Sequence, residues 1–307
     1  MNCMACGAHE TIASFVRKSA VFSTVWYVQC QDCMTVYAAE APSEVQLGEF
    51  YSRFYINDSR RSLLASALGW FRGLSERARA RSLVTYAMGL TGGLGSSGSL
   101  VDIGSGNGML SRALRVVGGS GSHVVSIDAA RDVLLLRDVA DETWHVTETE
   151  LVRRLEETSL RFGAVFFSHT LEHFTDPLAV LRSVTNRLTE YGRIFVDCPS
   201  GLHPIYTHAS DLNIPDLMFV TPSGVRAIAE LAGCAVLDVR GISPGPSFLY
   251  RPTEVVSLQY LGSFMFLARA MLTRDGYFSG GNPLWWRFTL SKSSISSLTR
   301  TTANAHE

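Results

Sequence analysis

A chain of 307 residues with 46% hydrophobic and 18% charged side chains is globular, and long enough for one large domain plus a small module. Its net charge of −1 at pH 7 supplies no overall basic field for a phosphate backbone, so nucleic acid is not the expected partner. The start, MNCMACGAHE, lacks a basic stretch followed by an apolar one, and the most apolar later segment, 255–272, is interrupted by Gln259 and Arg269. Neither a signal peptide nor a transmembrane segment is expected, which makes a cytoplasmic location the expectation.

The first 33 residues hold four of the six cysteines, as two CxxC pairs: Cys3 with Cys6, and Cys30 with Cys33. Each pair can aim two thiolates at one tetrahedral ion, and Gly7 after Cys6 fits the tight turn of a zinc knuckle. Segments 11–16 and 20–28 between the pairs read as strands of a small ribbon. A structural Zn2+ site is expected over residues 1–40, with an iron–sulfur cluster as the alternative; a disulfide framework does not suit a chain without a secretory signal. Cys198 and Cys234 stand alone on apolar runs and read as core residues.

Residues 41–98 form a linking region. It begins aromatic-rich (PSEVQLGEFYSRFYIN), continues with helical periodicity over 62–90 and ends in a Gly/Ser stretch at 91–99. Arg72, Arg77, Arg79 and Arg81, with only Glu76 among them, read as the solvated face of that helix.

From residue 100 strands and helices alternate. Strands are predicted near 100–103, 123–128, 143–147, 163–168, 191–198, 234–240 and 284–290, and helices near 107–117, 130–139, 148–158, 177–189 and 222–232. Such alternation implies a parallel sheet covered on both faces, with ligand at the carboxyl ends of its strands. Between the last two strands, about 241–283 reads as an inserted helical segment that caps a pocket or makes a homodimer contact. The domain 99–307 is thus expected to follow the ribbon and the linking region.

The chemistry is concentrated in VDIGSGNG, 101–108. Glycines at 104, 106 and 108 join a strand to a helix and let backbone approach a ligand where a Cβ would clash. The dinucleotide fingerprint GxGxxG would need glycine at 109, where Met109 stands. Twenty-four residues after Gly104, Asp128 ends the next strand, placed to accept hydrogen bonds from both hydroxyls of a ribose.

Asp102, two residues before the first glycine, together with GxGxG resembles motif I of class I S-adenosylmethionine (AdoMet) methyltransferases. The double CxxC, LGEFYSRFY, Asp128, SHTLEHFTDP at 168–177 and GRIFVDCP at 192–199 resemble the subgroup that carries an N-terminal four-cysteine zinc ribbon. Many of its members act in sugar or natural-product biosynthesis. The resemblance covers the chain to about residue 240 and implies a doubly wound, mostly parallel, seven-stranded Rossmann-like sheet.

It implies AdoMet held by Asp102, Gly104, Ser105, Gly106, Asn107, Gly108 and Asp128, with Thr147 or Glu148 beside adenine and Ser168 ending the strand whose following turn passes the sulfonium. The expected acceptor is a small molecule or carbohydrate, methylated at oxygen. The sugar C-methyltransferases of this kind have a further C-terminal region for which this chain lacks room, so their carbon chemistry is not carried over. An alcohol acceptor must lose its proton as it attacks, and His169, His173 and His208 are the candidate bases, with Glu172 and His203 nearby. Tyr51, Tyr55 and Tyr206 are candidate acceptor-lining residues. Two other readings stand beside this one: a zinc-ribbon RNA methyltransferase, and a non-catalytic AdoMet-binding scaffold.

Overall fold

The computed structural model describes residues 2–19, 23–50, 63–94, 98–201, 211–212, 216–242 and 283–293. His203, His208, Tyr51, Tyr55, Tyr206, the 255–272 segment and almost all of the expected 241–283 insertion lie outside these residues.

Two sheets organise the chain. The larger has seven strands: β4 (Ser99–Ile103), β5 (Val124–Asp128), β6 (Glu142–His145), β7 (Phe162–Ser168), β8 (Leu188–Pro199), β11 (Cys234–Ile242) and β12 (Trp285–Lys292). Their spatial order is β11-β12-β8-β7-β4-β5-β6. β5, β7, β6 and β8 run parallel within the β4 neighbourhood, while β12 is antiparallel to both β8 and β11. Strand order reverses between β4 and β7, and at that point the carboxyl ends of the strands open a crevice.

The central strands are buried and mostly apolar on both faces because helices cover both. α2 (Leu63–Thr91) and α3 (Met109–Gly118) pack Leu83, Val84, Ala87, Leu110 and Leu114 against Leu100, Ala164, Phe166 and Phe195 on one side. α4 (Glu148–Glu157), α5 (Pro177–Arg187) and α6 (Pro222–Leu231) bury Leu151, Leu155, Val180, Val184, Val225 and Ile228 on the other. Their starts are chemically marked. Thr147 forms a capping box with Glu150, while Asp176 and Thr221 cap helices whose first turns carry Pro177 and Pro222. Segment 131–138, expected as an α-helix, winds as a 3-10 helix instead, with Val133 and Leu136 buried at the i, i+3 spacing that a three-residue turn stacks on one face.

The smaller sheet begins as the ribbon. β1 (Thr11–Ser19) and β2 (Ser23–Cys30) form an antiparallel hairpin, and β3 (Val36–Ala38) pairs with β2. Its outer strands come from far along the chain. β9 (Asp211–Leu212) lies parallel to β1, and β10 (Met218–Phe219) antiparallel to β3, giving the order β10-β3-β2-β1-β9. A short helix, α1 (Glu44–Phe50), follows the ribbon. No helix among the described residues is long and apolar enough to cross a membrane.

Candidate active site

The crevice is built on the turn that ends β4. Gly104, Gly106 and Gly108 have φ of 77°, 49° and 76°, the left-handed region that a side chain disfavours. At Gly104 a side chain is also sterically excluded, since a Cβ there would come within 2.1 Å of Thr170 Oγ1. The turn after β7 is therefore pressed directly onto the turn after β4. Gly108 stands at the start of α3, where the first helical N–H, that of Met109, donates to Asn107 Oδ1 at 3.3 Å. The Ser105 hydroxyl is buried without a hydrogen-bond partner in the structure.

Asp128, at the end of β5, reaches back across this turn. Its Oδ2 accepts from Gly106 N–H at 2.8 Å and its Oδ1 from Ala130 N–H at 2.7 Å. Burial pushes its pKa up, opposed by those two N–H donors. Each oxygen keeps a second lone pair, the arrangement a ribose diol requires. Asp102 takes a different place. It is 1% exposed beneath the turn, where Oδ2 accepts from Ser111 Oγ at 2.6 Å, so it braces the turn from below.

The remaining predicted cofactor residues divide. Asn107 Nδ2 donates to Glu76 on α2. The Thr147 hydroxyl is committed to its capping box. Glu148 accepts from Thr175 N–H at 2.8 Å and Asp176 N–H at 2.7 Å, pinning α4 to the start of α5. Ser168 closes β7, as expected.

Beyond Ser168 the chain turns sharply. His169 has a φ of 55°, one of two non-glycine residues in the left-handed region among those described. Its N–H donates to the Asp197 carbonyl at 2.9 Å, and its ring meets Trp285 edge to face at 5.3 Å. His169 Nδ1 lies 3.4 Å from Oε1 of Glu172, a carboxylate only 1% exposed. His169 Nε2 and Glu172 Oε2 are buried with no hydrogen-bond partner. His173, on the same short turn, places Nδ1 3.5 Å from Asp216 Oδ1. Cys198 is buried alongside, and burial, followed by the Glu172 charge, pushes its thiol well up.

Beneath His169 lies a pair the sequence did not single out. Arg287 on β12 makes two 2.7 Å bonds to the Asp197 carboxylate and donates to Ser82 Oγ of α2 at 3.0 Å. Both ions are buried. Trp285, Asp216 and Arg287 were missed because each lies over 40 residues from the residue it meets, at His169, His173 and Asp197. The visible signal was only aromatic richness in LWWRFTL and the polar segment 201–216 after β8.

The four ribbon cysteines converge. Cys3 and Cys33 Sγ are 3.6 Å apart, Cys6 and Cys30 Sγ are 3.5 Å apart, and all four lie within 4.8 Å of one another. Gly7 (φ 77°) and Met34 (φ 60°) occupy equivalent places, each directly after the second cysteine of a CxxC. Their N–H groups donate to the Cys3 and Cys30 carbonyls, so both loops make the same knuckle. The hydrogen bond from Cys3 lowers the Cys33 thiol from its ordinary value. Arg77 and Arg81 are exposed on α2, consistent with a solvated face.

Strand order, glycine turn and strand-end acid together define a class I AdoMet-dependent methyltransferase. The family profile described as "Methyltransferase domain" matches residues 74–239, more than half of the chain, and the chain belongs to that family. It is 28% identical over 181 residues to a ubiquinone biosynthesis O-methyltransferase of Hydrogenovibrio crunogenus, covering 53% of this chain and 73% of the relative. The counterpart from Aeromonas salmonicida is 26% identical, with 54% and 75% covered. Among solved structures, the plantazolicin methyltransferase BamL superposes with a TM-score of 0.52 at 12% identity, over 82% of this chain and 96% of that one. This last likeness is one of fold.

Proposed function

We propose that this enzyme methylates an oxygen of a small-molecule acceptor, with His169 as general base and Glu172 as the group that orients it. The observation that carries the proposal is the buried, partnerless Nε2 of His169 at the carboxyl end of β7. The ring is held by Trp285 and a strained backbone, and its other nitrogen faces a buried carboxylate. With the Nδ1 proton directed at Glu172, Nε2 is left to take a proton from an acceptor hydroxyl, the base-and-orienter arrangement of nucleophile activation. The curated relatives are named O-methyltransferases, which agrees with this choice of atom.

AdoMet, when bound, supplies a methyl group already activated on a sulfonium, so the protein's work is alignment and proton removal. Asp128, anchored to the glycine turn through Gly106 N–H, fits the ribose. The orphaned Ser105 hydroxyl is a donor in search of an acceptor at the same place. The ribbon fits Zn2+. Tetrahedral Zn–S bonds of about 2.3 Å require sulfur separations of about 3.8 Å, close to those observed. Four thiolates leave no open position, so the ion is structural.

Labelled-methyl transfer into a cell extract, with mass identification of the product, names the acceptor. Against that acceptor, His169→Gln is expected to lower kcat by about 10²–10⁴-fold. Asp128→Ala is expected to weaken S-adenosylhomocysteine binding by at least about ten-fold in calorimetry. A His169→Gln enzyme with undiminished kcat would remove this residue from the chemistry.

A further inference from the structure

The ribbon is continuous with one wall of the crevice. Ala38 N–H, in β3, donates to the Leu217 carbonyl at 2.8 Å, and Leu217 N–H donates to the Glu172 carbonyl at 2.7 Å. A single residue thus joins the ribbon's sheet to the turn that bears both histidines. Beside it, the Tyr27 hydroxyl on β2 donates to the Asp216 carbonyl at 2.7 Å, and the Asp216 carboxylate is the group facing His173.

A second seam runs parallel to the first. Thr221 Oγ1, the cap of α6, donates to the carbonyl of Cys33. Gly224 in the first turn of α6 lies so near Thr35 that a Cβ would meet its Oγ1 at 2.0 Å. Cys3, Cys30, Cys33 and Tyr37 share one apolar cluster with Leu171, Met218, Val220, Val225 and Ile228. The glycine turn and Asp128 are built on β4 and β5 and tied together by the Gly106 and Ala130 N–H groups; they meet the wall after β7 where Gly104 packs on Thr170.

We propose that the metal-bearing ribbon positions the acceptor half of the crevice and leaves the AdoMet half alone. Resting on the methyltransferase reading above, this assigns Tyr27 as a positioning residue that acts through Asp216 on His173, with the Leu217 bridge fixing the backbone of Glu172. The ion closes the two knuckles, the knuckles hold β2 and β3 in register, and those strands hold residues 216–219. Loss of the ion would release the wall that carries Asp216 while the β4–β5 turn stays intact.

The test uses full-length protein labelled with 13C in its histidine rings, with signals assigned by single His→Gln variants. Binding of S-adenosylhomocysteine is followed by calorimetry, and zinc content is measured on each sample. Tyr27→Phe is expected to keep its zinc and to bind S-adenosylhomocysteine within about two-fold of wild type, while the His173 ring signal shifts. Chelation of the zinc is expected to displace the His169 and His173 signals further, reversibly on adding zinc back, again with the affinity held within about two-fold.

Ring signals unmoved by both treatments would overturn the proposal. So would a fall of about ten-fold or more in S-adenosylhomocysteine affinity alongside the shifts, because the ribbon would then brace the whole fold. A wild-type protein that binds no S-adenosylhomocysteine would overturn the methyltransferase reading itself, a result the ring signals cannot produce.

Discussion

Asp102 carries a pH dependence that can be worked from its surroundings. Its carboxylate is 1% exposed, and Ser111 Oγ, which donates to it, is in turn bonded by Ser126 Oγ at 2.7 Å. Burial pushes its pKa up to about 7 from 3.8; the Ser111 hydrogen bond pulls it down and the Asp128 charge adds to the rise. An acid raised on folding binds its proton more tightly in the native state. Its neutral form costs nothing below the unfolded pKa, and stability is lost as pH climbs from about 4 to about 7, then levels off. Roughly three pH units at about 1.4 kcal/mol each bound the loss at about 4 kcal/mol. Asp102→Asn keeps an oxygen for Ser111 and removes the titration. Urea unfolding of both proteins across this window should therefore show a wild-type-minus-variant difference that falls as pH rises. The difference is the right quantity, because Asp128 is raised too and contributes a slope of the same sign to both proteins. A difference constant from pH 4 to pH 7 would refute the burial argument.

Asp197→Ala should destabilise the fold by about 3–5 kcal/mol in urea unfolding, because Arg287 would remain as a buried charge without its counterion. Asp197→Leu combined with Arg287→Met should recover most of that loss, and a double variant as unstable as the single one would show that the geometry, rather than the orphaned charge, matters. Met34→Gly should raise stability by about 1 kcal/mol in the zinc-loaded protein, since it relieves a left-handed conformation at a side chain 37% exposed. A lower melting temperature would mean that the methionine's contacts outweigh its strain.

Much of the catalytic domain was legible because its signals are local. Residues 100–103 and 124–127 are buried strands, and they read as such since strands covered on both faces are short and mostly apolar, here broken only by the buried Asp102 and Ser126. The decisive relation, Gly106 N–H to Asp128, joins the ends of two adjacent parallel strands, and the spacing of one strand–helix–strand unit fixes it. The 3-10 winding of 131–138 was not legible, because i, i+3 burial also suits an α-helix. Nor was the environment of His169. The sequence offered His169, His173 and His208 as candidate bases; of the two that are described, His169 is singled out by Trp285, which the fold brings in, and by the burial of nearby Glu172.

The ribbon shows why the remainder was hidden. Its two cysteine loops are closed by contacts within five residues, so CxxC and a following turn residue make them legible. Its role toward the crevice runs through Tyr27 with Asp216 and Thr221 with Cys33, pairs separated by 189 and 188 residues. The strands that complete its sheet, β9 and β10, are two residues each, too short for any periodicity to register. A boundary drawn near residue 40 follows the change in composition, yet the hydrogen-bonded sheet crosses it. Composition reports where a module's own chain ends. Which later segment that module must hold in place is decided by register between distant strands, and there the ribbon's contribution to the acceptor wall is made.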